Sequence, residues 1–437
     1  MKNSYWKNRV ALPALWLFLL LSPIGSTQGI TDESGSFPEA VTMRQLLDIT
    51  REKSPRYAAL RQRIEAANAE VVAAGVLPNP KINYGRYDLL TRLNTMFDGH
   101  VQQQVTLEVP LLIAGQRGAR VEAAEKRVEA TAADIEAEFA GLVHNVWTLF
   151  VTQLADQQRI AILDETAKYM RYLTKIVSGR SQAGNASPYG LLRIEIEAKS
   201  VQTRLETVRN DLSATAGDLG VLLGLSGWKP QALGTLSYLG VPDDVEKLWT
   251  EAERMNPDLE AARRGEAAAD AGLERARRER WPVPSFQVGS VFTDKPYGNT
   301  SFAGVSVELP IFDRGQGGMA RAASEKQTAI LERDLATARI RSALERAIDL
   351  LSRKRETRSN FERNVVEKLT DLKNMGEASY RLGKGSLLEL LDASRSRTET
   401  RLTHLDLIQS EIEAELEALR ASGLLLSTVE TDFSKKR

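Results

Sequence analysis

Apolar positions in this chain follow two different periods. Val128, Ala132, Ile135, Phe139, Leu142, Val146 and Leu149 alternate spacings of four and three, the seam that one helix of a coiled coil presents to its neighbours. No proline lies between Pro110 and Pro188, and none follows Pro310, so nothing in either window forces a helix to stop. The spacing predicts a helix over 116–178, about 95 Å long at about 1.5 Å per residue. A counterpart is predicted over 316–377, with Leu344, Ile348, Leu351, Phe361, Val365, Leu369 and Leu372 as its apolar marks. The polar, glycine-bearing stretches "SGRSQAGNAS" and "EASYRLGKGS" then reverse the chain, and partner helices are predicted over 187–225 and 386–425.

The second period is two. Val101, Val105, Leu107 and Val109 share one face of a predicted strand, with Gln103 as the exception, and Gln102, Gln104, Thr106 and Glu108 share the other. Ala303, Val305, Val307 and Leu309 alternate in the same way with Gly304, Ser306 and Glu308. Such alternation separates an apolar environment from a wet one. Strands are expected over 81–87, 100–111, 285–293 and 301–312, paired into two hairpins.

The chain is written twice. "LPNPKINYG" at Leu77 has its match in "WPVPSFQVG" at Trp281, "VTLEVPLLIAGQRGARVEAAEK" at Val105 in "VSVELPIFDRGQGGMARAASEK" at Val305, and "AGNASPYGLL" at Ala183 in "LGKGSLLELL" at Leu382. Three matches in one order, each about two hundred residues apart, indicate a duplicated domain rather than a solenoid. The first repeat is expected over 30–256, with a leading helix 42–76 and a segment 226–256 after its helical hairpin. The second is expected over 257–437, with a leading helix 257–280 and a short C-terminal tail.

A helical hairpin of this length has no room to fold back over a four-stranded sheet, so helix and sheet are expected end to end. A soluble domain with helices capping the apolar face is the competing arrangement. Four strands do not close a barrel, and open edges are not tolerated in lipid; single-chain barrels begin at about eight strands. An oligomer contributing four strands per chain follows, without its number being fixed.

Composition removes most chemistry. Lys+Arg and Asp+Glu both number 58, so charge points to no nucleic-acid partner. Cysteine is absent, which excludes disulfides, thiol catalysis, Cys-ligated metals and anchoring through a lipidated cysteine. His100, His144 and His404 are scattered, without the clustering a metal site needs. No glycine-rich phosphate loop follows a strand, and no nucleophile–base arrangement is legible. No enzyme, cofactor or metal centre is expected. At the start, Lys2, Lys7 and Arg9 precede "VALPALWLFLLL" and then "SPIGSTQG", the order of a secretory signal over 1–29. The apolar run is short for a membrane span of about 20 residues.

The junctions "LEVPLLIAGQRGARVEAA" and "VELPIFDRGQGGMARAAS", the "PNP" at Pro78 and the tip segments "AGNASPYGLL" and "YRLGKGSLLELLDA" together resemble the TolC-like outer-membrane efflux factors, over essentially the whole chain beyond the signal. "AGQRGARVEAA" with "AGNASP" is most similar to the branch serving cobalt–zinc–cadmium-type pumps. The resemblance implies a mainly α fold with a β-barrel part. In that arrangement a homotrimer forms a 12-stranded barrel in outer-membrane lipid, continuous with an α-helical periplasmic tunnel, and 226–256 lies in an equatorial region. It implies a periplasmic adaptor and an inner-membrane RND-type pump as partners, and the outer membrane of a Gram-negative bacterium as the location.

Site expectations follow from the same resemblance. Pro110 and Pro310 end strands at the barrel–tunnel junction, where Gly115, Gly118, Gly315 and Gly318 let the backbone turn and Gln116 and Gln316 sit. Glu108 and Glu308 face the lumen, or else pair with Arg117 and Arg314. Asp371 and Glu377 are candidates for an acidic ring at the periplasmic aperture. Gly184, Leu382 and Gly383, in the tip turns, are candidates for adaptor docking. A drug-efflux or protein-secretion duct of the same family, and an exported coiled-coil scaffold without a pore, remain as alternatives.

Overall fold

The computed structural model describes residues 37–88, 101–183, 187–294, 298–382 and 384–432. The expected signal over 1–29, His100, Gly184 and Gly383 lie outside the described residues. The elements, in chain order, are β1 (Ala40–Val41), α1 (Met43–Lys53), α2 (Pro55–Gly75), β2 (Lys81–Asp88), β3 (Val101–Pro110), α3 (Gln116–Gln182), α4 (Pro188–Leu223), β4 (Gln231–Ala232), α5 (Val245–Met255), α6 (Pro257–Glu279), β5 (Ser285–Thr293), β6 (Gly298–Ser306), α7 (Gln316–Asn364), α8 (Leu369–Arg381), α9 (Leu387–Ala421) and α10 (Leu425–Asp432).

The heptad seam does what its spacing implies. Ile135, Phe139, Leu142 and Val146 are buried along α3, a single helix of 67 residues, about 100 Å at the standard rise. Its N-terminal half meets α2 and α6, and its C-terminal half α4 and α9. Met170, Leu173 and Val177 of α3 meet Ile194 of α4 and Leu390 and Leu391 of α9 in one apolar cluster. Ile162 and Leu163 meet Leu205, Leu402 and Leu405 in another. These layers hold the helices side by side, with apolar burial stabilising by about 25 cal/mol per Å².

Two helices are built from pieces joined end to end. α4 ends where α2 begins, and the Ser54 hydroxyl joins them: it accepts from the Tyr57 amide and donates to the Leu223 carbonyl at 2.7 Å. α9 ends where α6 begins, and Asn256 plays the same part. Its Oδ1 accepts from the Asp258 and Leu259 amides, and its Nδ2 donates to the Ala421 carbonyl at 2.9 Å. One buried side chain thus satisfies donors at the start of one helix and an acceptor at the end of another, groups that a helix cannot pair internally. The expected single helix over 42–76 is therefore two, α1 and α2, with Ser54 between them and Pro55 at the first helical position, where proline is tolerated.

The second long helix is also interrupted. α7 ends at Asn364, Val365 adopts φ −123° and ψ −55°, a 3₁₀ turn spans Val366–Lys368, and α8 follows. The expected continuous helix over 316–377 is corrected on this point. Neither proline nor glycine lies at the break; the consecutive β-branched Val365 and Val366 lower helix propensity there only slightly.

β2, β3, β5 and β6 form one antiparallel sheet in that order. β3 pairs with β5 from Gln102↔Thr293 to Pro110↔Ser285, joining the two hairpins. The hairpins differ in register: Lys81 faces Glu108 in the first, but Ser285 faces Ser306 in the second. β6 stops at Ser306, so the strand expected over 301–312 is corrected to Gly298–Ser306. Pro110 is the last residue of β3, whereas Pro310 lies beyond β6 and ends no strand. β1 and β4 pair in parallel beside α1 and α3, and Trp228 Nε1 donates to the Pro38 carbonyl there.

Candidate functional site

Residues paired across neighbouring strands share a face, so the register sorts the sheet. One face carries Ile82, Tyr84, Val105, Leu107, Phe286, Val288, Phe292 and Val305, all exposed, with Arg86, Asp88, Gln103, Ser290 and Asn299 among them. The other carries Asn83, Gln102, Gln104, Thr106, Glu108, Gln287 and Thr300, with Tyr87, Val291 and Phe302 among them. An exposed, largely apolar face of this breadth, on a sheet whose outer strands β2 and β6 have no further strand beside them among the described residues, is unstable in water and marks an interaction surface. No described helix is long and apolar enough to cross a membrane.

Sheet and helices meet at two equivalent corners. Gly115 (φ 76°) and Gly315 (φ 69°) take the left-handed conformation that favours glycine and cap α3 and α7. The next residue closes each corner. Gln116 Oε1 accepts from the Ala114 amide at 2.9 Å, and Gln316 Oε1 from the Arg314 amide at 2.7 Å. Gly118 and Gly318, expected from sequence to turn the chain, do not; both lie inside the first turns of their helices, outside the left-handed region. Arg117 donates to the Gly75 carbonyl and Arg314 to the Ile311 carbonyl, so the alternative pairing of these arginines with Glu108 and Glu308 is not what the structure shows. Glu108 stands in β3 opposite Lys81, and Glu308 lies beyond β6.

At the other end, Asp371 is exposed in the first turn of α8. Glu377 is half-buried in a cavity of about 130 Å³, lined also by Glu165, Thr166, Tyr169, Leu390 and Arg397. Burial first, and then the Glu377 carboxylate, push the Tyr169 hydroxyl up to about 12. Arg180, at the end of α3, lies 5.1 Å over the Tyr380 ring of α8. Leu382 is exposed at the turn.

Glu165 takes Arg401 at 2.6 Å and Arg397 at 3.1 Å, both from α9. The hydrogen bond from Arg401, reinforced by Arg397 and opposed by partial burial, holds its carboxyl below the ordinary glutamate value. A depressed carboxyl stabilises the fold above its unfolded-state pKa and loses that contribution as pH falls through the folded one. Because the carboxylate is about half exposed, Glu165→Gln is expected to cost under about 1 kcal/mol at neutral pH. Melting curves at a series of pH values check this: the gap between the proteins should close below the ordinary glutamate range, and a gap that widens in acid would refute it.

Sequence reading missed a buried ionic cluster between α7, α9 and residues 238–243. Glu415 is fully buried and accepts from the Leu239 amide at 2.6 Å, the Gly240 amide at 3.2 Å and Arg355 at 2.7 Å. Arg355 also reaches Asp243 and Glu411, while Arg358 joins Glu411 and Glu362 and lies 4.7 Å over the Tyr238 ring. Two of the histidines each face a carboxylate: His404 faces Glu362 at 2.8 Å and His144 faces Glu417 at 3.1 Å. Among the described residues, no three His, Cys, Asp or Glu gather as metal ligands would.

Comparison with known proteins agrees with this geometry. The sequence profile of the family described as "Outer membrane efflux protein" matches residues 46–225 and 248–423. The cobalt-zinc-cadmium resistance protein CzcC of Cupriavidus metallidurans is 25% identical, over 86% of this chain and 88% of its own. The pyoverdine export outer membrane protein OpmQ of Pseudomonas putida is 25% identical, over 95% of this chain and 92% of its own. A crystal structure of a membrane protein from Pseudomonas aeruginosa has the same fold, with a TM-score of 0.72 at 19% identity over 87% of this chain and 90% of that one.

Proposed function

Because the chain belongs to the outer membrane efflux protein family, we propose that it is the exit duct of a three-component efflux system, carrying heavy-metal cations out of a Gram-negative cell. The observation that carries this reading is the two-faced sheet with free edges at the end of the long helical stem. Three copies bring twelve strands, enough to close a barrel whose apolar face meets lipid and whose polar face lines a wet lumen. The stem then continues the lumen into the periplasm as a tunnel of packed helices. The chain works as a conduit and not as an enzyme, and an inner-membrane RND-type pump with a periplasmic adaptor supplies energy and cargo.

The candidate residues take their places in this scheme. Asp371, exposed on α8, and Glu377, six residues further along the same helix, are the proposed aperture carboxylates, which favour cations modestly. Leu382, with Gly184 and Gly383, is the proposed adaptor contact, and Glu108 and Glu308 are the proposed lumen carboxylates. Similarity to the resistance protein CzcC supports metal cargo. The equal identity to a pyoverdine exporter supports a second reading, in which the same duct serves a different pump.

Membrane fractionation followed by planar-bilayer recording tests the proposal. The protein should require detergent for extraction and give stepwise conductance. A soluble, non-conducting product would remove the duct and leave the coiled-coil scaffold.

A further inference from the structure

The two places where a helix feeds the sheet are written differently. Around the end of α6 the chain reads "ERARRERW", Glu274 to Trp281, and the matching stretch at the end of α2 reads "EVVAAGVL", Glu70 to Leu77. The glutamate is kept, while Arg275, Arg277, Arg278 and Arg280 stand where the first half has Val71, Ala73, Ala74 and Val76. Each helix gives way to its strand over a segment of the same length, 76–80 and 280–284. The passage from helix to strand therefore needs no arginine, and the four in the second half serve something else.

They divide between two faces of α6. Arg275, with Gly265, Ala268, Gly272 and Glu279, lines a groove of about 860 Å³ shared with α2, α3 and α7. A groove bounded by four helices is the concave side of their layer, the side a closed ring turns inward. Glu274, Arg277 and Trp281 follow one another at spacings of three and four, which places them together on another face. Arg278 stands beside them, since it reaches Glu274 at 2.8 Å, as Arg277 does at 3.5 Å. One carboxylate thus answers two guanidiniums. Glu279 is taken by Arg120 at 3.0 Å, and Arg280 is exposed with no ion-pair partner among the described residues.

Trp281 is fixed through its backbone: the Gln116 side-chain amide donates to its carbonyl at 3.5 Å, and its own amide donates to the Arg278 carbonyl. Its ring stays outside. Trp281 is 63% exposed, and Ile113, between β3 and α3, is 71% exposed. Both lie where β5 and α6 already pack on β3 and α3. The neighbouring strand and helix are in place there and leave both side chains uncovered, so packing of protein on protein does not account for them.

We propose that this collar binds the phosphate groups of anionic phospholipids in the leaflet that faces the periplasm. Arg277, Arg278 and Arg280 take the phosphates, which a guanidinium fork matches in bidentate fashion. Trp281 sits at headgroup level, where an amphipathic ring is favoured. The inference rests on the barrel reading above: the apolar face of the sheet ends at this corner, so lipid covering Phe286 brings its headgroups beside Arg277 and Arg280. Charge selects the lipid class. Three arginines against Glu274 leave an excess of positive charge, complementary to an anionic headgroup and not to a zwitterionic one.

The full-length protein, purified in detergent, is titrated with phosphatidylglycerol and with phosphatidylcholine of the same chains, and bound lipid is counted by native mass spectrometry. An arginine near an anionic surface is worth about a factor of five. Arg277→Ala with Arg278→Ala and Arg280→Val copies the first half. It should weaken phosphatidylglycerol binding by at least about tenfold and phosphatidylcholine binding by less than about twofold. Arg353→Gln, at an exposed arginine further down α7, should change neither. Should the triple variant fail to assemble, Arg280→Gln alone, which breaks no ion pair, should cost about fivefold. Equal losses for the two lipids, or no loss, in a protein whose mass is that of an oligomer would overturn the phosphate site and leave the duct intact. A single-chain mass would overturn both.

Discussion

Replacing Glu415 by alanine should release residues 238–243 from the helices beneath them. The wild-type carboxylate is fully buried and pairs with Arg355 and with two backbone amides. Alanine leaves the Leu239 and Gly240 amides without an acceptor, each costing about 1–3 kcal/mol. Arg355 keeps Asp243 and Glu411, which holds the total near the about 3–5 kcal/mol typical of a broken buried pair. Hydrogen exchange at the two amides should accelerate by about 10²–10³-fold, since every 1.4 kcal/mol is about a factor of ten in the opening equilibrium. Glu415→Gln, which keeps an acceptor but turns a donor toward Arg355, should fall between. Unchanged exchange in the alanine variant would mean that the loop is fixed by other contacts.

Asn256→Ala should be nearly as damaging although it removes no charge. The side chain caps α6 through two amides and holds the Ala421 carbonyl at the end of α9. Loss of a cap costs about 0.5–2 kcal/mol, and a buried carbonyl left without a donor about 1–3, so about 2–4 kcal/mol is expected. The joint is closely built: Gly423, at φ 74°, lets the chain leaving α9 pass so near Asn256 that a Cβ would overlap its backbone. Asn256→Ser copies the chemistry of Ser54, whose single hydroxyl both accepts and donates, and should recover more than half of the loss. Thermal unfolding in detergent measures both. An alanine variant that melts with the wild type would show that packing alone aligns the two helices.

The long helices and the alternating strands were legible because each is written locally, in a period and in the placement of prolines. The corner glycines were half legible. Gly115 and Gly315 carry the left-handed turn, while Gly118 and Gly318 look identical in sequence and are ordinary helical residues. The break after Asn364 was not legible, since Val365 and Val366 differ little from neighbours that stay helical. The end-to-end joints had a signal that went unread: Ser54–Pro55 and Asn256–Pro257 each place a capping residue before a proline, which starts a helix. Glu411 and Glu415 looked like any charged helix face, because burial by a distant loop leaves no trace in a local pattern.

The two joints also bear on how the protein is made. Ser54 reaches Leu223 across 169 residues, and Asn256 reaches Ala421 across 165. Closing a loop of that size is slow, and contacts so distant in sequence delay folding. The first closure begins and ends within the leading copy, and the second starts at that copy's last residue, Asn256, and ends in the trailing one. The leading copy can therefore complete its own fastening before the trailing one has emerged, as domains do during synthesis. Duplication thus divides one long topological search into two shorter ones.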